Sequence, residues 1–202
     1  MFNKLFTILK KKRLIRQKIS ELESQHQIKL NNDEKNFIRY YYNSESKYRV
    51  GSIGNFVLYK WDEEREGDWQ RLVFLKDRRF MMEFTLSTDS ADVEQWKKQP
   101  PQELIAFAEK LFANFEDVLS SAAKAFCNEA YQLGREVELS SLEDFRVTEI
   151  VMYGIAEKGK KDILGIICFY IKTKPDQSWR LIFEKDFVFH NLACITRNDS
   201  DA

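Results

Sequence analysis

Hydrophobic spacing divides the chain into segments of different period. Apolar residues recur at helical spacing at Phe2, Leu5, Phe6 and Leu9. Beyond the basic run Lys10-Lys11-Lys12-Arg13 they continue at Leu14, Ile15, Ile19 and Leu22, with no Gly or Pro in the first thirty residues. Asn31-Asn32-Asp33 reads as a stop and an N-cap for a second short helix over "EKNFIRYYY". From about Val50 the period becomes two. Phe56 and Leu58 alternate with Val57, Tyr59 and Trp61; Trp69, Arg71, Val73 and Leu75 alternate with Gln70, Leu72 and Phe74. With "RRFMMEFTLS" these runs predict an antiparallel meander.

Pro100-Pro101 then opens a helix whose apolar stripe runs from Leu104 through Leu111, Phe115, Leu119 and Phe126 to Ala130, with Gly134 as its C-cap. Asn114, with Asp117 three residues on, is able to restart it, so one helix or two fit the pattern. The last third returns to strands: "FRVTEIVMYGIAEKG", "DILGIICFYIKTK" and "SWRLIFEKDFVFHNLACI", parted by turn residues at 159–162 and 174–177. Helices and strands segregate, which predicts an α+β fold. The expected sheet is antiparallel, two three-stranded meanders around a central long helix, with an N-terminal helical extension over residues 1–45. The α+β domain covers 46–197 and a frayed tail 198–202.

Composition narrows the function. Hydrophobic residues make up 44% of the 202, with sixteen Phe, ample for a packed core. A net charge of zero argues against a dedicated nucleic-acid binder, whose domain pI usually exceeds about 9. Cys127, Cys168 and Cys194 lie far apart in apolar runs and read as buried, reduced thiols of a cytoplasmic protein. No run approaches the roughly 18 apolar residues of a membrane span. The N-terminus lacks the charge order and cleavage site of a signal peptide.

Candidate chemistry is thin. His190 and Cys194 stand near each other in sequence, but in a regular strand they would share a face about 13 Å apart, too far for a thiolate–imidazole dyad. Two histidines and three scattered cysteines give no metal-ligand spacing, so no metal and no cofactor are expected. Gly51-Ser52-Ile53-Gly54 leads into a strand and lacks the Lys of a phosphate loop. Glu63 and Glu66 sit in a charged turn with nothing to separate their pKa values. A catalytic set assembled from distant parts of the chain would escape this reading.

Two segments read as contact surfaces. The acidic turn Asp62, Glu63, Glu64, Glu66 and Asp68 lies between Trp61 and Trp69, as a solvated hairpin tip or as a patch that steers a basic partner toward two tryptophans. Lys10, Lys11, Lys12 and Arg13 belong to a helix that packs its stripe on the domain, or that grips phosphates or an anionic bilayer over residues 1–19.

The run "GNFVLYKWDEEREGDWQRLVFL", the helix "LIAFAEKLFANFEDVLSSAAKAF" and the three final strand runs together resemble a group of bacterial domains found beside secreted polymorphic toxins and classed as immunity proteins. The resemblance spans roughly residues 50–195 and rests on alternation around Trp61, Trp69 and Trp179. It implies a non-enzymatic cytoplasmic protein that binds and neutralises a cognate protein toxin, and no catalytic residue carries over. Immunity proteins against nucleases tend to be acidic; this chain is neutral, which makes a basic nuclease a poor fit as partner. A peripheral membrane or scaffold protein and an enzyme are the other readings.

Overall fold

The computed structural model describes residues 2–60, 67–75, 78–85, 93–133, 139, 141–157, 160–184 and 186–196. Helix α1 (Phe2–Gln25) and helix α2 (Asn32–Asn43) precede four strands: β1 (Lys47–Val50), β2 (Gly54–Tyr59), β3 (Asp68–Leu75) and β4 (Arg78–Thr85). Helices α3 (Val93–Trp96), α4 (Gln102–Ala113) and α5 (Phe115–Gln132) follow. A 3-10 turn at Leu142–Asp144 then leads into β5 (Phe145–Glu157), β6 (Lys160–Ile171), β7 (Lys174–Glu184) and β8 (Phe189–Thr196). The protein is α+β, and its strands form one eight-stranded sheet in sequential order.

The sheet is mixed, where a purely antiparallel one was expected. Every neighbouring pair is antiparallel except β4 and β5, which run parallel. A parallel pair needs a long crossover, and the helical segment between Thr85 and Phe145 supplies it. Among the described residues there are eight strands where six were expected. β1 is only four residues long, and its turn into β2 passes through Gly54 at φ 108°. The run read as one strand from Ser178 to Ile195 folds back on itself: Phe187 takes φ 60°, its N–H donates to Glu184 O at 2.8 Å, and Glu184 N–H donates to Val188 O at 3.1 Å. A bulky residue in the left-handed region is uncommon, and the Phe187 ring is stacked on Phe107 at 5.4 Å.

The first face of the sheet carries the larger core. Phe56, Trp69, Val73, Phe80, Met82, Phe84, Phe145, Ile150, Phe169, Trp179 and Phe183 pack there against Leu104, Leu111, Phe115, Leu119 and Phe126 of α4 and α5. The helix breaks at Asn114 as its sequence allowed, but by a different bond. The Asn114 amide donates back to Lys110 O at 2.8 Å, and no side chain caps the start of α5. Gly165 is needed on this face: a Cβ there would meet the ring of its cross-strand partner Phe183 at 2.1 Å.

On the second face α1 and α2 form a smaller core, Ile15, Ile19, Leu30, Phe37 and Ile38 over Val57 and Leu72. Asn31 caps α2 in a reciprocal box, accepting from Glu34 N–H at 2.8 Å while Glu34 accepts from Asn31 N–H at 2.7 Å. The other Glu34 oxygen accepts from Arg79 of β4, and Tyr40 Oη donates to Leu58 O at 2.6 Å, fastening α2 to the sheet. Of the described side chains of α1, Ile15, Ile19 and Leu22 pack in this core, and those from 6 to 14 are exposed.

Candidate functional site: the open half of the second sheet face

Directly paired residues share a face, so the register traces the second face across the sheet. One row runs Val57, Gln70, Glu83, Val151, Ile166, Ile182 and His190 from β2 to β8. The next runs Leu72, Met81, Glu149, Cys168, Arg180 and Ala193. Over β2 to β4 the rows lie in the α1–α2 core. Over β5 to β8, Val151, Tyr153, Leu164, Ile166, Tyr170 and Ile182 are half-buried and, among the described residues, packed into neither core. This half of the face is apolar and aromatic, with Glu149 and the exposed Arg180 and Glu184 set into it.

Polar groups mark the border between the covered and open halves. Gln70, 1% exposed, and Glu83, 8% exposed, are the buried polar residues among those described. Gln70 Nε2 donates to Glu83 Oε2, and Thr85 Oγ1 donates to Glu83 Oε1 at 2.9 Å. Gln70 Oε1 meets no hydrogen-bond partner among the described residues. Burial, then the negative charges of Asp68 and Glu149, pushes the Glu83 carboxyl up to about 7. Burial also raises Glu149, against the opposing pull of a hydrogen bond with Cys168 and of Arg180. Cys168 is pushed up to about 11, first by burial and then by Glu149, so at neutral pH it stays a thiol and is a poor nucleophile. A carboxyl titrating near 7 suits proton exchange, but both Glu83 oxygens are already engaged inside the fold.

The residues singled out from sequence are spread over the molecule. Trp61, Asp62, Glu63, Glu64 and Glu66 lie outside the described residues. Asp68 opens β3, half-buried on the second face next to this border. Trp69 is on the first face, 1% exposed, and its Nε1 donates to Trp96 O at 2.8 Å; Trp96 Nε1 in turn donates to Gly67 O at 2.9 Å. The expected partner contact at Trp69 is therefore corrected: α3 locks this indole into the core and leaves a partner no surface there. Lys10, Lys11, Lys12 and Arg13 are exposed on α1.

His190 and Cys194 also part company. A bulge between Leu181 and Ile182 shifts the β7–β8 register, so His190 pairs with Ile182 on the second face while Cys194 packs against the first-face core. The expectation of a shared face fails because a bulge inverts alternation beyond it. The three cysteines are free thiols. Among the described residues no His, Cys, Asp or Glu group is placed to hold a metal, and no helix is long and apolar enough to cross a membrane.

Sequence reasoning missed Gln70, Glu83, Glu149 and Arg180. The available signal was a polar residue set among apolar ones, Gln70 alternating with Leu72 and Phe74, and Glu83 between Met82 and Phe84. Comparison of the chain with protein-family models, with curated proteins and with solved structures found no match.

Proposed function

We propose that this chain is a non-enzymatic binding protein that neutralises a cognate protein toxin in the cytoplasm, taking it on the open half of the second sheet face. The observation that carries the reading is the set of apolar and aromatic side chains on β5 to β7 that belongs to neither core. Exposed apolar patches rimmed by charge are typical of protein contact sites, and Tyr and Arg are favoured at their centres. The resemblance of residues 50–195 to immunity proteins supplies the kind of partner.

Tyr170→Ala with Ile182→Ser removes two half-buried side chains from this face. The double variant is expected to bind the toxin at least about 30-fold more weakly, the effect of losing a hot-spot contact, with an unchanged far-UV spectrum. Binding at full strength by a folded variant rules the face out. The acidic turn bears on rate. Charge reversal of Glu63, Glu64 and Glu66 to Lys is expected to slow association by about tenfold at low salt and far less at physiological salt. Stopped-flow association rates at two salt concentrations check this, and equal rates at low salt remove the turn from the interface.

A further inference from the structure

Helix α1 docks through its C-terminal half, while its described side chains from 6 to 14 are exposed. Ile15 and Ile19 are 6% and 8% exposed in the second-face core, with Leu22 packed against them. Ile8 lies seven residues before Ile15, on the same stripe of the helix, yet it is 51% exposed. The stripe therefore outruns what covers it. On the other sides of this half, Phe6, Leu9 and Leu14 are 60%, 56% and 50% exposed. At about 1.5 Å per residue, residues 2–13 make a helical arm of about 18 Å.

The arm is as one-sided in charge as it is rich in apolar surface. The first twenty residues hold Lys4, Lys10, Lys11, Lys12, Arg13, Arg16 and Lys18 and no acid. The whole chain balances 32 basic residues against 32 acidic ones, so residues 21–202 keep 25 basic against 32 acidic. Net neutrality conceals a segment of +7 joined to a body of −7. Lys10 Nζ lies over the Phe6 ring at 4.4 Å, placing cation and aromatic side by side.

We propose that the free half of α1 is a docking element for the anionic surface of a lipid bilayer. Phe6 and Leu9, three residues apart on one side of the helix, enter the headgroup boundary while Lys10, Lys11, Lys12 and Arg13 meet the lipid phosphates. An anionic bilayer is the one common surface that takes both halves of this chemistry. A nucleic acid would engage the basic residues and leave Leu9 in water. The docked half of the helix holds the domain against the surface without entering it. Binding of this kind needs no protein partner, so it stands or falls apart from the toxin reading.

The test is co-sedimentation of the full chain with phosphatidylcholine vesicles, with and without phosphatidylserine. Two variants accompany it, Lys10→Gln/Lys11→Gln/Lys12→Gln/Arg13→Gln and Phe6→Ser/Leu9→Ser; the substituted side chains are exposed, so thermal melts should match the parent. Partition onto the anionic vesicles is expected, with a loss of about 100-fold or more in the first variant and a comparable loss in the second. Failure to sediment or equal binding to both vesicle types would each overturn the proposal. So would α1-dependent dimers in sedimentation velocity without vesicle binding, which would assign the arm to a second copy.

Discussion

Glu83→Gln is expected to stabilise the protein above pH 7 and to leave it little changed below pH 4.5. The Glu83 carboxyl titrates at about 7 in the fold against 4.5 in the unfolded chain, so between these values the folded state holds the extra proton. Stability therefore falls as pH rises through that window, and the loss is complete above about pH 7. At about 1.36 kcal/mol per pKa unit this amounts to roughly 3 kcal/mol. Glutamine at this site carries no charge to desolvate and none to repel Asp68 and Glu149. Its amide can also donate to Gln70 Oε1, which meets no partner among the described residues of the parent. Urea denaturation of both proteins across pH 4 to 8 reads the difference. A gap that widens with pH is the expected result, and a constant gap would mean that Glu83 ionises like a surface carboxylate.

The second large effect is in the first-face core. Phe126 of α5 is fully buried, with ring centroids 5.1 Å from Phe169 and 5.1 Å from Trp179, both edge-on, and 6.4 Å from Phe145. It is the point at which α5 joins β5, β6 and β7. Phe126→Ala leaves a cavity among rings held by the sheet and is expected to destabilise by about 3–5 kcal/mol. Alanine is a better helix former than phenylalanine, so the loss cannot be charged to the helix itself. The urea midpoint should drop with an unchanged slope, as it does when stability alone changes. A loss below about 1 kcal/mol would contradict the packing.

How far these sites were legible depends on how local their causes are. The cap of α2 and the break at Asn114 depend on a few neighbouring residues: the sequence placed a cap within residues 31–33, where Asn31 provides it, and left one helix or two open at Asn114. The alternation that sets Gln70, Leu72 and Phe74 on the face opposite Trp69 was readable. That the Gln70 face would be covered over β2 to β4 and open over β5 to β8 was not readable, because it depends on where α1 lands. The parallel β4–β5 pair was hidden for the same reason: it joins Met81 to Glu149 across the whole helical segment. The β7–β8 hairpin was masked by an unbroken apolar run, its turn made by a phenylalanine at positive φ where a glycine would have announced it. The bulge that separates His190 from Cys194 leaves no mark in the residues on either side.

The proposed contact face follows from this division. Trp69, the more prominent of the sequence candidates that the structure describes, is consumed by the core, and the open surface lies on strands that drew no attention as a site. Calorimetric titration of the chain into the product of the gene immediately upstream, repeated with Tyr170→Ala/Ile182→Ser, tests the central claim most directly. The account predicts tight one-to-one binding by the parent chain and at least about 30-fold weaker binding by the folded double variant. No heat with the parent chain, or equal affinity for both proteins, would contradict it.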